Sequence, residues 1–147
     1  MNEAVLGAGI LGGLFATIII FGSIFYILLI IAWWKLFTKA GVAGWKSIIP
    51  IYNVYKFCQI IGMSFWIYYL GIPLVIGVIG AIINNQDATN LLSGCYTLFV
   101  DIYTAILLGK AFNKGTGFKV GLVLLPNIFL LILGFDSSKY VGSYKEA

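Results

Sequence analysis

Asp101 is the residue of this chain best placed to do chemistry. It stands near the middle of an apolar run from Leu91 to about Phe112. An ionisable group at the bilayer centre costs about 2.5–3.5 kcal/mol on insertion scales, so such residues face a bundle interior or a water-filled cavity. Helical spacing puts Gly94, Thr97, Asp101, Thr104 and Leu108 on one face. That face is small or polar at four of those five positions, and it is expected to turn inward. Asn127 lies at similar depth in another apolar run, directly after Pro126, and Thr17 lies near the middle of a third. Pro126 and Pro73 each remove a backbone donor and free a carbonyl in the preceding turn. A carboxyl, an amide, several hydroxyls and two helix breaks could therefore converge as a proton or cation site. The competing reading is structural: Asp101 hydrogen-bonded to Asn127 or Thr17, stapling the bundle, or satisfied locally by Thr97 and Thr104.

Other chemistries are poorly supplied. The chain has no His and no Arg, which removes His-based acid/base catalysis, Ser-His-Asp triads and bidentate clamps on phosphate. Cys58 and Cys95 form no CxxC pair and no zinc spacing, so both are expected as buried free thiols. Lys46 and Ser47 are adjacent, so their side chains diverge rather than share a proton. Gly7-Ala-Gly9-Ile-Leu-Gly12 fits G-x-G-x-x-G, but no acid follows until Asp87 and an apolar span comes directly after. Gly9-x-x-x-Gly13 reads better as a close helix-packing face. The expectation is no enzyme, no metal, no cofactor and no nucleic-acid partner.

The elements that must hold these residues are membrane spans. Of 147 residues, 61% are hydrophobic and only 10% charged, against roughly 25% charged in soluble domains. A helix needs about 20 residues to cross the hydrocarbon core. Four spans are expected, at about 5–34, 64–83, 91–112 and 120–135, in one integral membrane domain covering 1–147. Pro73 and Pro126 fall inside two of them. The stretch 48–61 is apolar but broken by Asn53, Lys56 and Gln59, and it reads as a short interfacial or re-entrant helix. Ser47 is its candidate N-cap.

Lysine placement gives the orientation. Lys35, Lys39, Lys46 and Lys56 follow the first span, and Lys110, Lys114 and Lys119 follow the third; only Lys139 and Lys145 fall elsewhere. The positive-inside rule then puts the Lys-rich loops in the cytoplasm and both termini outside the cell membrane. Lys39, Lys46, Lys114, Lys119 and Trp45 become candidates for contact with anionic lipid headgroups or a partner, at about 1 kcal/mol per basic residue near an anionic surface.

The two Lys-rich loops echo each other. Lys35-Leu-Phe37-Thr-Lys39 precedes Gly44-Trp45-Lys46 and Pro50; Lys110-Ala-Phe112-Asn-Lys114 precedes Gly117-Phe118-Lys119 and Pro126. A duplicated two-span unit is one reading of this pattern, and parallel repeats do occur in transporters.

The segment Lys39-Ala-Gly-Val-Ala-Gly44-Trp45-Lys46-Ser-Ile-Ile-Pro50-Ile-Tyr52-Asn53-Val-Tyr55 resembles a family of small prokaryotic multi-pass membrane proteins of unknown function. Gly109-Lys110-Ala-Phe112-Asn-Lys114-Gly-Thr-Gly117-Phe118 and Ile132-Leu133-Gly134-Phe135, followed by Tyr140, resemble its C-terminal part. Ala43 stands where that family tends to have Pro. Some members carry a signal-peptidase label, but this chain has no Ser-Lys dyad to match it. The resemblance implies a membrane location and a shared fold, with no substrate and no site residues.

The expected protein is therefore an all-α, polytopic membrane protein with four transmembrane helices. Its expected role is that of a non-enzymatic scaffold or regulatory partner in the membrane, as a homo-oligomer or bound to another membrane protein. The alternative is an oligomeric ion or proton channel, or small transporter, built on Asp101.

Overall fold

The computed structural model describes residues 2–142. Every regular element among them is helical. Helix α1 spans Glu3–Lys39, and a single 3-10 turn, Gly44–Ser47, leads to α2 at Tyr52–Ile61. A π-helical turn, Trp66–Gly71, runs directly into α3 at Ile72–Ile83. Helix α4 covers Gln86–Ala111, α5 Thr116–Leu124 and α6 Pro126–Phe135. Three stretches are long and apolar enough to cross a membrane: Val5–Lys39, Trp66–Ile83 and Gln86–Ala111.

The fourth expected span, 120–135, is not one helix. Leu125 adopts φ −136° and ψ 64°, which ends α5, and Pro126 starts α6 at a position that needs no donor. The two helices fold back on each other. The rings of Phe118 and Phe129 pack edge-to-face with centroids 5.1 Å apart, and a Cβ on Gly121 would strike the Phe129 ring. Lys114 and Asp136, 22 positions apart, form an ion pair; a continuous helix would hold them about 33 Å apart. Each arm, of 9 and 10 residues, is about 14–15 Å long, half of a hydrocarbon core. Sequence hydropathy alone missed this because both arms of the hairpin are apolar.

The hairpin returns the chain to the Lys39 end of α1. Val141 donates its backbone N–H to the Ala111 carbonyl at 2.8 Å, and the Tyr140 hydroxyl donates to the Ile60 carbonyl at 2.7 Å. Residues 136–141 sit at the end of α1 remote from Asn2. Lys139 therefore falls with the Lys-rich loops, and Lys145 lies outside the described residues.

The core gathers at this same end. Leu36, Phe37, Cys58, Ile61, Phe112 and Leu133 are essentially inaccessible. Helix meets helix backbone where α6 crosses α1: a Cβ on Gly134 would lie 2.7 Å from Ala32 Cα. Gly44 likewise fits only because it has no side chain, since a Cβ there would lie 2.3 Å from the Trp34 ring.

Segment 48–61 becomes a helix only from Tyr52, burying Phe57, Cys58, Ile60 and Ile61 on one face. Ser47 is not its cap. It belongs to the 3-10 turn, and Ile51, at φ 66°, separates it from α2. Cys58 is buried, and that burial pushes its thiol up to about 11. Cys95, expected to be buried, is exposed on α4.

Candidate functional site

Asp101 lies midway along α4 and lines two cavities. The first, about 340 Å³, lies between α3 and α4 and is bordered by Tyr68, Tyr69, Pro73, Tyr96, Thr97 and Asp101. The second, about 240 Å³, brings Asp101 together with Tyr69, Thr104, Pro126, Asn127 and Trp33. The fold thus assembles most of the constellation expected from sequence, with Asp101 and Tyr69 shared by both spaces. Asn127 reaches the site because the α5–α6 hairpin carries Pro126 in beside α4, although 120–135 is not one helix.

The geometry departs from expectation in three respects. Thr17 takes no part: its hydroxyl donates to Gly13 O at 2.8 Å on its own helix, in a region of α1 that packs against nothing. The Gly94–Leu108 face is not wholly inward. Leu108 is buried and Thr104 half-buried, while Asp101, Thr97 and Gly94 are exposed. Nor is Asp101 a staple, since no side chain among the described residues hydrogen-bonds its carboxylate. Thr97 donates to Ser93 O at 2.9 Å and Thr104 points its hydroxyl at Met63 Sδ, 3.7 Å away.

Pro73 acts on the backbone as expected. It supplies no N–H and crowds the turn before it, and that turn widens into the π-helical Trp66–Gly71. The Tyr68 carbonyl takes a hydrogen bond from the Tyr96 hydroxyl of α4 instead. Tyr68, Tyr69 and Tyr96 were not singled out by sequence. Their signal was a cluster of phenols inside apolar segments, where ordinary aromatic packing is the usual meaning.

A second constellation lies at the core end and centres on Asp136. Lys39 Nζ donates to its Oδ1 at 3.0 Å, to its backbone carbonyl at 2.8 Å and to the Leu133 carbonyl at 2.5 Å. Lys114 pairs with Oδ2, and Ser138 donates through its hydroxyl and, at 3.0 Å, its backbone N–H. Partial burial pushes the Asp136 carboxyl up, but the bonds from Lys114, Ser138 and Lys39 override it and hold the group well below the usual carboxylate range. Lys39 also caps the last carbonyls of α6, where a cation is favoured.

This node is the meeting point of the two echoed loops. The last lysine of each Lys-x-Phe-polar-Lys stretch binds Asp136, and the phenylalanine of each, Phe37 and Phe112, is buried in the core. Lys39 and Lys114 are accordingly engaged within the protein rather than held out for headgroups. Lys46 lies 5.8 Å from the Trp45 ring centre and 6.0 Å from that of Tyr52, and Trp45 is 52% exposed. The Lys119 stem covers Gly109. Asp136 was overlooked in the sequence because a supposed fourth crossing put it on the far side from its lysines. Among the described residues no cluster of His, Cys, Asp and Glu could hold a metal ion.

A family model described as a family of unknown function, DUF5684, matches residues 45–143. The chain belongs to the DUF5684 family. The matched region takes in both cavities' α3, α4 and α6 walls and, of the Asp136 node, Lys114, Asp136 and Ser138; it leaves out α1 and with it Lys39. This DUF5684 member matches no curated protein and no solved structure.

Proposed function

We propose that this chain is a non-enzymatic multi-pass membrane protein that works as an assembly partner, pairing its outer helix surfaces with other membrane helices. The observation that carries this reading is Asp101, an exposed carboxyl halfway along an apolar helix, with no side-chain hydrogen bond among the described residues. In hydrocarbon such a group must be covered. The outer length of α1 supports the reading: every residue from Ala8 to Leu28 is exposed.

The topology that fits is three crossings with α5–α6 re-entering from the cytoplasm. All eight lysines among the described residues then fall on the cytoplasmic side, and Glu3 and Asp87 on the other, which satisfies the positive-inside rule better than four crossings. Val141→Cys checks the side. Labelling of the new thiol from the cytoplasmic face fits this topology; labelling from outside restores the fourth crossing. The assembly reading is tested by crosslinking in intact cells: wild type gives a discrete higher-mass product, and Asp101→Leu changes its yield. No crosslinked product at any expression level would defeat the reading.

A second reading has its own observation, the cavity shared by Asp101, Thr104, Pro126 and Asn127. On that reading oligomers conduct protons or cations past Asp101. Proteoliposome flux in wild type, lost in a folded Asp101→Asn, supports it; flux unchanged by the substitution removes Asp101 from the pathway.

A further inference from the structure

The two cavities that share Asp101 and Tyr69 present one continuous face of α4. Ser93, Tyr96, Thr97, Val100 and Asp101 border the first, and the second takes up from Asp101 with Thr104 and Leu108. Steps of three and four residues repeat without a break, which is a single helix face. Asp101 stands in the middle of it, so its side chain leaves α4 on the cavity side. The residue is exposed, so its carboxyl can be reached from outside the fold. Across the gap, the Tyr69 hydroxyl interacts with both Thr104 and Asp101. No lysine borders either cavity, so no cation of the described residues stands there to balance the carboxylate.

The walls constrain which cation can balance it. A hard metal ion takes about six oxygen ligands, and among the described residues Asp101 is the only carboxylate on either cavity. What surrounds it instead is aromatic and aliphatic: Tyr68, Tyr69 and Tyr96, with Pro73 and Ile76. Aromatic faces attract cations, and most strongly where water is excluded. One carboxylate among phenol rings therefore suits a cation whose charge is carried on carbon-bearing nitrogen and which asks for no shell of oxygens. The first cavity, at about 340 Å³, falls in the range of about 300–1,000 Å³ usual for small-molecule sites. We propose that the cavity between α3 and α4 binds a lipophilic organic cation, a quaternary ammonium with an aryl or alkyl body, its charge held by Asp101 and its apolar part against the tyrosines. The inference rests on the cation site of the second reading above and names its class of ligand, without requiring conduction.

The test is equilibrium dialysis of the full chain in detergent against radiolabelled benzyltrimethylammonium, with neopentylbenzene, its uncharged isostere, and sodium chloride as competitors. Wild type should bind the ammonium saturably, and neither competitor should displace it. Asp101→Asn should weaken binding by more than about tenfold, because the ion pair is lost. Tyr69→Leu should weaken it by about fivefold, the worth of one cation–π contact, and Tyr69→Phe, which keeps the ring, should retain most of it. Melting measurements without ligand guard against misfolding: Asp101→Asn should melt no lower than wild type, since the carboxyl has no side-chain hydrogen bond to lose. Displacement by neopentylbenzene would make the cavity a merely apolar one and overturn the cation. Displacement by millimolar sodium would assign the site to an inorganic ion and overturn the organic class. Binding unmoved in a folded Asp101→Asn overturns the site. Proteoliposome flux on the same preparation separates the two claims: ammonium binding without flux removes conduction and keeps the site, whereas inorganic cation flux without ammonium binding keeps conduction and overturns this inference.

Discussion

The two lengths of α1 have opposite surroundings although they form one helix. From Ala8 to Leu28 all residues are exposed, and Cβ atoms added at Gly9, Gly12, Gly13 or Gly22 would meet nothing. From Leu29 to Lys39 the same helix packs on α6, holds Ala32, Leu36 and Phe37 in the core and closes on Asp136. Composition does not separate them, since both are strongly apolar. What separates them is the α5–α6 hairpin, which reaches only half the depth of a membrane and so can cover only one half of α1. A protein built this way has its own fold at one end and surface for something else at the other.

The largest effect should come from filling the contact at the packed end where a glycine lies against rigid backbone. Gly134→Val would drive a branched side chain into the Ala32 backbone, where even a Cβ would sit 2.7 Å from Cα. Overpacking of this kind costs about 1–3 kcal/mol, and here rigid backbone puts it at the upper limit. Thermal unfolding in detergent should show a large drop. An unchanged melting point would mean that α6 does not cross α1 there.

Asp136→Asn should cost somewhat less, about 2 kcal/mol, because hydrogen bonds to charged groups contribute about 1.5–3 kcal/mol and the side chains involved are partly exposed. The same group sets an acid limit. Its folded pKa is depressed, so its stabilisation is fully present above the usual carboxylate value of 3.8 and is lost as pH falls from there through the folded value. Melting points of wild type and Asp136→Asn should therefore converge on acidification below about pH 4. A gap that persists into strong acid would show that the ion pair is not what Asp136 contributes.

The packed end was only partly legible in the sequence. Three apolar stretches, a separate short helix within 48–61 and the echo of the two Lys-x-Phe-polar-Lys loops could be read from spacing. So could the company of Asp101, Thr104 and Asn127, since depth along an apolar segment is a one-dimensional property. The hairpin could not, because a proline in an apolar run marks a kink or a reversal with the same residues. That single ambiguity kept Asp136 and Lys139 apart, in the sequence reading, from the lysines they join in the fold. Thr17 failed for another reason. Depth matched, but nothing in one sequence says which face of α1 meets which neighbour.

The smallest effect on folding should come from the bare end. Gly13→Ile adds a bulky side chain where nothing stands within 4 Å of a Cβ, so the melting point of the isolated chain should move by no more than about 0.5 kcal/mol equivalent. Assembly should respond differently. Gly9 and Gly13 form a small-xxx-small pair of the kind that lets two helices approach closely in a bilayer. If a second helix packs on them, Gly13→Ile should abolish the crosslinked product in cells while leaving the monomer's melting point where it was. Loss of both together would mean that the outer length of α1 supports the fold after all, and the contrast between its two lengths would collapse. Loss of neither would move the assembly surface to the other unpaired feature, the Asp101 face of α4, where Asp101→Leu becomes the deciding variant.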